Sequence, residues 1–424
     1  MKILWLTNKI IPHVHRAMGK EATLVNEGWI TQMFEKLCNT ENIEMHVFCG
    51  GSENLSGKAE KFSWYTFTET AESETYYSEQ QKNTFSDILR DVKPDIIHIW
   101  GTEYPHTLAM ILAAKENGLI DRTVAWLQGI ISVCSHYSNF YCDIPQNVIK
   151  SKTFYDSLRH TGLEDVQKKF AQRGLYEMRA ISEIRHVIGR TDWDKKCAQI
   201  INSDVNYHFC NETLRADFYF DSWTYDKCQN HSIFVSQATY SIKGFHLLLR
   251  ALPSLIEKYP DIHVFVGGAD PTGGGSLKEV IKATSYRRYI KQLIEKENLR
   301  SHITFMGRMQ ADKMKEMYLK ANLFLSCSSI ENSPNSVGEA MLLGTPVVSS
   351  DVGGVRSIIE DKTEGILYRW NDTTEMIKAI SNVFDDPDSA VSRSAMAKRH
   401  AAITHNPQTN YETLMDIYNN IAQS

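Results

Sequence analysis

Two glutamates eight positions apart, Glu331 and Glu339, enclose the run Asn332-Ser333-Pro334-Asn335-Ser336-Val337-Gly338. Glu331 follows an apolar strand-like run and falls in a loop. Glu339 falls on the helix expected next. The backbone N–H groups of Asn332 to Ser336 then lie near a helix N-terminus, which is a ready site for an anion such as a diphosphate. A carboxylate placed like Glu339 can accept both hydroxyls of a ribose. The plainer alternative is a capped helix with two solvated glutamates.

A second group lies upstream. An apolar run, Ser232–Ser236, leads through Gln237-Ala238-Thr239-Tyr240-Ser241-Ile242 to Lys243-Gly244, just ahead of a helical pattern over His246–Glu257. A lysine there is a cation for a β-phosphate, and Gly244 lets the backbone approach closely. His263-Val264-Phe265-Val266-Gly267-Gly268 reads as a strand ending in a glycine turn. Gly273-Gly274-Gly275 reads as a mobile loop.

Such residues need a scaffold that aims them at one point. Short apolar runs alternate with longer amphipathic stretches along the chain, the pattern of parallel sheets covered by helices. The first half predicts strands at Lys2–Thr7, Glu44–Cys49, Asp95–Trp100, Thr123–Gln128 and His186–Arg190. The second half predicts them at Ser232–Ser236, His263–Val266, His302–Met306, Leu323–Cys327, Pro346–Ser349 and Gly365–Tyr368. The break falls in the polar stretch Cys210–Asn230. The expected fold is therefore α/β, with two doubly wound Rossmann-like domains facing each other across a cleft. The domains are residues 1–210 and 211–405, and a C-terminal helix over about 406–424 packs back on the first. In open α/β sheets, ligands sit outside the carboxyl ends of the strands. The motifs above fall at such ends.

The stretch Ser328 to Gly354, including Glu331, Glu339, Gly344-Thr345-Pro346 and Gly353-Gly354, resembles the retaining family 4 glycosyltransferases of the glycosyl transferases group 1 type. Those enzymes have the GT-B fold and mostly need no bound metal. The resemblance implies that Glu331 contacts hydroxyls of a donor sugar, that Glu339 holds the ribose, and that Gly353-Gly354 is structural. The family places an Arg a few residues before its Lys-Gly. Here that position is Gln237 or Ala238, so one of two phosphate cations is missing. A variant subgroup carrying Gln is the preferred account; loss of activity is the other. Phe305-Met306-Gly307-Arg308-Met309 resembles the strand whose end flanks the nucleotide base, and Gly28 what remains of a Gly-Gly pair at a helix start near the donor phosphates. The implied donor-binding set is Gly28, Lys243, Gly244, Met306, Gly307, Glu331, Asn332, Ser333, Asn335, Ser336, Val337 and Glu339.

In the first half, Trp126-Leu127-Gln128-Gly129 stands where many relatives carry a histidine near the reacting carbon. Gln128 cannot act as a general base, but it can hydrogen-bond a sugar hydroxyl. In retaining transfer of this type the departing phosphate is thought to take the acceptor proton, so Gln128 need not abolish the chemistry. His136 is an alternative imidazole. His98, in Asp95-Ile96-Ile97-His98-Ile99-Trp100, reads as structural. The implied acceptor-binding residues are Glu103, Gln128 and Arg190; the catalytic ones are Glu331, Lys243 and Gln128. Asp192 and Asp194 spell Asp-x-Asp, but outside the donor half, and no metal site is expected.

The chain has 424 residues and a net charge of −5, which argues against a basic nucleic-acid binder. Its eight cysteines form no CxxC pair and read as reduced thiols. The N-terminus carries no signal-type apolar stretch, and no run approaches the ~18 apolar residues of a membrane span. The expectation is a cytoplasmic protein at the inner face of a membrane. Basic residues between Ser151 and Arg185, interleaved with Phe154, Tyr155, Phe170 and Tyr176, form either a solvated face or a peripheral membrane contact. The expected partners are a nucleotide sugar (UDP- or GDP-sugar, a substrate, with no cofactor) and a glycan or lipid-linked acceptor. The expected activity is hexosyl transfer with retention, in surface polysaccharide or glycoconjugate biosynthesis. The alternatives are an impaired sugar-nucleotide-binding protein and a nucleotide-sugar epimerase of the same fold.

Overall fold

The computed structural model describes residues 1–20, 30–272 and 283–423. Gly28 and the Gly273-Gly274-Gly275 run lie outside the described residues. The chain divides into two compact units. The first comprises Met1–Cys134, Lys169–Arg215 and Thr404–Ser424. The second comprises Ser135–Lys168 and Ala216–Ile403.

The strands of the first unit are β1 (Lys2–Thr7), β2 (Glu44–Gly51), β3 (Ser56–Lys58), β4 (Phe62–Thr68), β5 (Ile96–Trp100), β6 (Thr123–Trp126), β7 (His186–Gly189) and β8 (Asn206–Phe209). They lie in the order β3-β4-β2-β1-β5-β6-β7-β8. Only the short β3 runs antiparallel to its neighbour. The strands of the second unit are β9 (Gln229–Val235), β10 (His263–Val266), β11 (Ile303–Phe305), β12 (Ala321–Ser326), β13 (Val347–Ser350) and β14 (Ile366–Tyr368). Their order, β11-β10-β9-β12-β13-β14, is all parallel. Both sheets reverse direction of winding once, between β1 and β5 and between β9 and β12. These are the switch points at which doubly wound sheets bind ligands.

The helices that matter below are α1 (Glu79–Val92), α2 (Pro105–Glu116), α3 (Leu163–Glu183), α4 (Phe245–Lys258), α5 (Asn335–Leu343) and α6 (Pro407–Gln423). Parallel strands buried on both faces are apolar throughout, as in β1, where all residues after Lys2 are buried. Successive residues of β1 serve opposite cores. Leu4 and Leu6 pack with Phe48, Phe85 and Ile99; Ile3 and Trp5 pack with Met45, Val47 and Trp126. The second core is closed by α6 through Leu414, Ile417, Tyr418 and Ile421, the helical spacing legible in the sequence.

Residues 135–168 differ from expectation, since they join the second unit although they follow β6. Main-chain carbonyls hold them there. Phe140 O accepts from Ser241 Oγ at 2.9 Å, and Cys142 O from His246 Nε2 at 2.5 Å. Buried Phe140, Tyr141, Cys142 and Ile144 add apolar area. Lys152, counted in the basic face, pairs with Asp165 at 2.7 Å. In the first unit, Arg173 lies 4.0 Å from the centre of the Tyr104 ring.

One polar knot crosses the apolar floor of the first unit. The Trp5 indole donates to the Tyr418 hydroxyl at 3.0 Å, and the same hydroxyl is bonded to Nδ1 of His98. His98 is fully buried, and burial pushes its pKa down to about 3, so the ring is neutral. Tyr418→Phe leaves both partners short of a bond in a dry interior. It is expected to lower the unfolding free energy by about 1–3 kcal/mol, read from urea denaturation.

Candidate functional site

The carboxyl ends of β9 and β12 flank the switch point of the second sheet. The connection after β9 ends in Ser241-Ile242-Lys243-Gly244. Gly244 adopts φ +68° and caps α4. A Cβ on Gly244 would stand 1.8 Å from the carbonyl oxygen of Cys327, the first residue after β12. Only glycine permits both that conformation and that approach. The two connections are then laced together, since Ser329 N donates to Ile242 O at 2.9 Å.

That approach brings Lys243 to Glu331. Nζ lies 2.5 Å from Oε1, and Ser328 Oγ donates to the same carboxylate oxygen at 2.6 Å. Glu331 is fixed from a third side. Gly354 N donates to its carbonyl at 3.0 Å, and a Cβ on Gly353 (φ +51°) would stand 2.0 Å from that oxygen. The structural role expected for the Gly353-Gly354 pair has this geometric basis. Both side chains keep some access to solvent, 30% for Lys243 and 13% for Glu331.

Immediately downstream, α5 begins. Its N-cap is Pro334, which offers no side-chain cap, and its first residues are Asn335, Ser336 and Val337. The positive end of the helix thus lies one short loop from the Lys243–Glu331 pair. Asn332 and Glu339 are both buried, Glu339 in the second turn of α5. Gln237, where the family would place Arg, turns its amide toward Thr239 Oγ1 at 3.4 Å. Lys243 is therefore the cation that Ser236–Gly244 supplies.

Met306 and Gly307 stand at the end of β11, two strands from β9. Met306 N donates to Val266 O and Gly268 N to Gly307 O, both at 2.8 Å. A Cβ on Gly267 would lie 2.5 Å from Ser236 O. The ends of β9, β10 and β11 form one continuous rim, on which Met306 is 38% exposed. Lys243, Gly244 and Glu331 are in mutual reach, whereas Met306 and Gly307 sit further along that rim.

The residues expected to meet an acceptor lie in the first unit. Glu103 follows β5, and one of its carboxylate oxygens accepts from Gly129 N at 2.8 Å. Burial raises its pKa above the usual carboxylate value. Gln128 Nε2 donates to Glu212 Oε1 at 2.5 Å, and Arg190 Nη1 lies 2.7 Å from Glu212 Oε2. The Arg190 side chain is only 3% exposed. Arg190, expected as an acceptor contact, is paired with buried Glu212. His136, the alternative imidazole, falls in the segment that joins the second unit.

The structure adds residues the sequence reading did not single out. Asn8 Oδ1 is bonded to His106 Nε2 at 2.9 Å across the switch point of the first sheet. Lys9 bridges Glu69 at 3.0 Å and Glu74 at 3.2 Å. Glu177, on α3, is 1% exposed and accepts from Ser132 N and Oγ at 2.8 Å and from Thr102 Oγ1 at 2.7 Å. Its signal was a glutamate on the same helix stripe as Gly174, Ala180 and Ile181. Gly174 lets α3 close on Ser132, where a Cβ would meet Cα at 2.8 Å.

Burial chiefly pushes the Glu177 pKa up to about 7, with Glu103 adding repulsion. A carboxyl whose folded pKa exceeds its unfolded value of 4.5 stabilises the fold fully below 4.5. That contribution is lost as pH rises through about 7. Glu177→Gln cannot titrate, so its stability relative to wild type is expected to rise between pH 4.5 and 7 in paired urea denaturations. Gly353→Ala tests the lacing around Glu331. The clash and the positive φ are expected to cost about 1–3 kcal/mol of unfolding free energy.

Among the described residues, no cluster of three or more His, Cys, Asp or Glu is placed to hold a metal ion, and no helix is long and apolar enough to cross a membrane. Residues 216–400 match the family model of glycosyl transferases group 1. A D-inositol 3-phosphate glycosyltransferase of Corynebacterium urealyticum is 25% identical over 182 residues, 42% of this chain and 41% of that protein. Spore coat protein SA of Bacillus subtilis is 25% identical over 180 residues, 42% of this chain and 45% of that protein. The chain thus matches less than half the length of these relatives. Among solved structures, sucrose-phosphate synthase from Thermosynechococcus elongatus superposes over 100% of both chains with a TM-score of 0.69 at 14% identity. Anabaena HepE in complex with UDP covers 99% of this chain and 100% of its own, with a TM-score of 0.67 at 15% identity. The fold is GT-B, built from two Rossmann-like units, and residues 216–400 are similar to the glycosyl transferases group 1.

Proposed function

We propose that the protein transfers a hexosyl group from a nucleotide sugar, a UDP- or GDP-sugar, to a glycan or lipid-linked acceptor with retention of configuration and with no resident cofactor. The observation that carries this reading is the Lys243–Glu331 contact at the switch point of a group 1 domain, beside the start of α5. The ammonium and the helix end both favour negative charge there. They suit a diphosphate that becomes more anionic as the glycosidic bond breaks. Glu331, anchored by Ser328 and Gly354, holds sugar hydroxyls, and Glu339 holds the ribose. The nucleotide carried by Anabaena HepE supports a nucleotide donor here.

In this proposal Glu103 and Gln128 face the acceptor. No side chain takes the acceptor proton; the departing diphosphate oxygen does so. Rate enhancement comes from orientation and from stabilising the leaving group. A glycoconjugate or surface-polysaccharide pathway and a place at the inner face of a membrane complete the proposal. Phe154 and Leu158, 77% and 64% exposed on the helix Phe154–Arg159, support a lipid-facing contact.

A thermal-shift screen against UDP, GDP, ADP and their sugars tests the reading. At about one hundred times Kd, a native-state ligand adds ~2.7 kcal/mol of stability, a readily measured shift. One nucleotide class is expected to shift the wild type. Lys243→Ala and Glu331→Ala are expected to lose transfer by about 100- to 1,000-fold while remaining folded. Absence of any nucleotide shift, or near wild-type turnover in either variant, overturns the proposal.

A further inference from the structure

At the edge of the first sheet, away from the groups discussed above, a cavity of about 380 Å³ opens between the end of β4 and the first turns of α1. Thr68, Thr70, Ser73, Gln81, Tyr76 and Tyr77 contribute to its wall. The volume lies at the lower end of small-molecule sites, about 300–1,000 Å³, and suits a monosaccharide or disaccharide. Hydroxyls, amides and tyrosine rings dominate the lining, and Lys, Arg and His are absent from its lining residues.

The wall is built rather than incidental. Lys9 ties the loop beyond β4 at Glu69 and Glu74, so the segment that forms one side is held at both its start and its middle. Asn54 Oδ1 accepts from Thr68 N at 2.7 Å and from Thr68 Oγ1 at 2.9 Å, closing the opposite side. Gln81 is only 6% exposed, and its Nε2 donates to Thr68 O at 3.0 Å, which fixes the amide. Its Oε1 is then a buried acceptor without a hydrogen-bond partner. Buried polar atoms of this kind are rare and costly, and each calls for a missing donor.

Charge decides what kind of hydroxylic ligand fits. Glu72 lines the cavity, and Glu79 sits in the first turn of α1. The Ser78 side chain already caps that helix, accepting from Gln81 N at 3.3 Å. Nearby Lys82 is held by Glu79 at 2.5 Å and Glu116 at 2.6 Å. A phosphate or sulfate would meet the Glu72 carboxylate and no lining cation, whereas a neutral polyol meets no such electrostatic penalty. Tyr76, 51% exposed at the mouth, offers an apolar ring with a polar tip. Aromatic faces of that kind cover the C–H face of a pyranose while amides and hydroxyls bond its rim.

We propose that this cavity binds a neutral sugar residue, and that it is a distal subsite for an extended acceptor glycan. The second clause rests on the glycosyl-transfer reading. β4 lies two strands from β1 in this sheet, about 10 Å at the usual strand spacing. A glycan with its reacting end at the switch point beside β1 would reach the cavity through its following units. The protein would then favour oligosaccharide over monosaccharide acceptors.

Saturation-transfer NMR on the full chain tests this with methyl α-glucoside, maltose, cellobiose and diacetylchitobiose, and with glucose 6-phosphate and inorganic phosphate as charged probes. At least one neutral disaccharide is expected to bind more tightly than either charged probe. Tyr76→Ala, a surface change, and Gln81→Met, which removes the acceptor oxygen, are each expected to weaken it about tenfold, with circular dichroism reporting the fold. The proposal is overturned if no neutral saccharide binds, if affinity survives in both folded variants, or if the phosphorylated probe binds better than its neutral counterpart. The nucleotide screen on the same wild-type sample keeps the two readings separate. Saccharide binding without any nucleotide shift would sink glycosyl transfer but leave the sugar site standing.

Discussion

The chemistry of the second unit depends on two backbones coming closer than any side chain allows. Gly244 lies against the carbonyl of Cys327, and Gly353 against the carbonyl of Glu331, at distances where a Cβ would overlap the oxygen. Both glycines also hold positive φ, so geometry and conformation select the same residue. The switch point of a doubly wound sheet separates the two connections by one strand spacing and leaves a crevice between them. Gly244 narrows that crevice until a lysine from one side and a glutamate from the other share a hydrogen bond, and Gly353 backs the glutamate from the connection after β13. Replacing either glycine would act on the site through the backbone, without touching a functional side chain.

How much of this could be read beforehand follows from burial. Every strand of the second sheet was legible because interior parallel strands are continuous apolar runs, as in Ala321–Ser326. The strands missed were β3, β4 and β8, all at or near the edges of the first sheet. β8 reads Asn-Tyr-His-Phe and buries none of its residues fully, so no apolar run marks it. β4 carries aromatic and threonine residues suited to a strand, but polar positions break its apolar run. Missing β4 concealed its carboxyl end, and with it Glu69 and the polar cavity. The allegiance of residues 135–168 was illegible for a different reason. Part of it runs through main-chain carbonyls of Phe140 and Cys142, which every residue has, and part through Asp143 and Asp156, whose partners Arg250 and Ser285 lie more than 100 positions on.

Among candidate residues, the pairings seen in the structure were marked in the sequence only where the backbone is special. Lys243 and Glu331 are 88 positions apart and meet where Gly244, after β9, closes on Cys327, after β12. Arg190 carried no sign that Glu212 would neutralise it, since that pairing joins the end of β7 to a segment beyond β8. Gln128 bonds to the same carboxylate. Glutamine offers a donor and an acceptor at once, and here it donates to Glu212.

The Lys243–Glu331 pair also bears on how a donor could enter. A partly exposed ion pair is worth only about 0–1 kcal/mol, because solvation competes with attraction. Were both groups sealed, breaking the pair would strand a buried charge and cost several times as much. Under the proposed function, Lys243 would exchange a carboxylate for a diphosphate at small cost. Glu331 is not set adrift by that exchange, since Ser328 Oγ continues to donate to the same oxygen and Gly354 still holds its backbone. The contact keeps the lysine aimed at the switch point, and under the proposed function the carboxylate would stay ordered for hydroxyl groups once the lysine turned to phosphate. One weak contact, supported by a strong backbone frame, thus combines preorganisation with easy displacement.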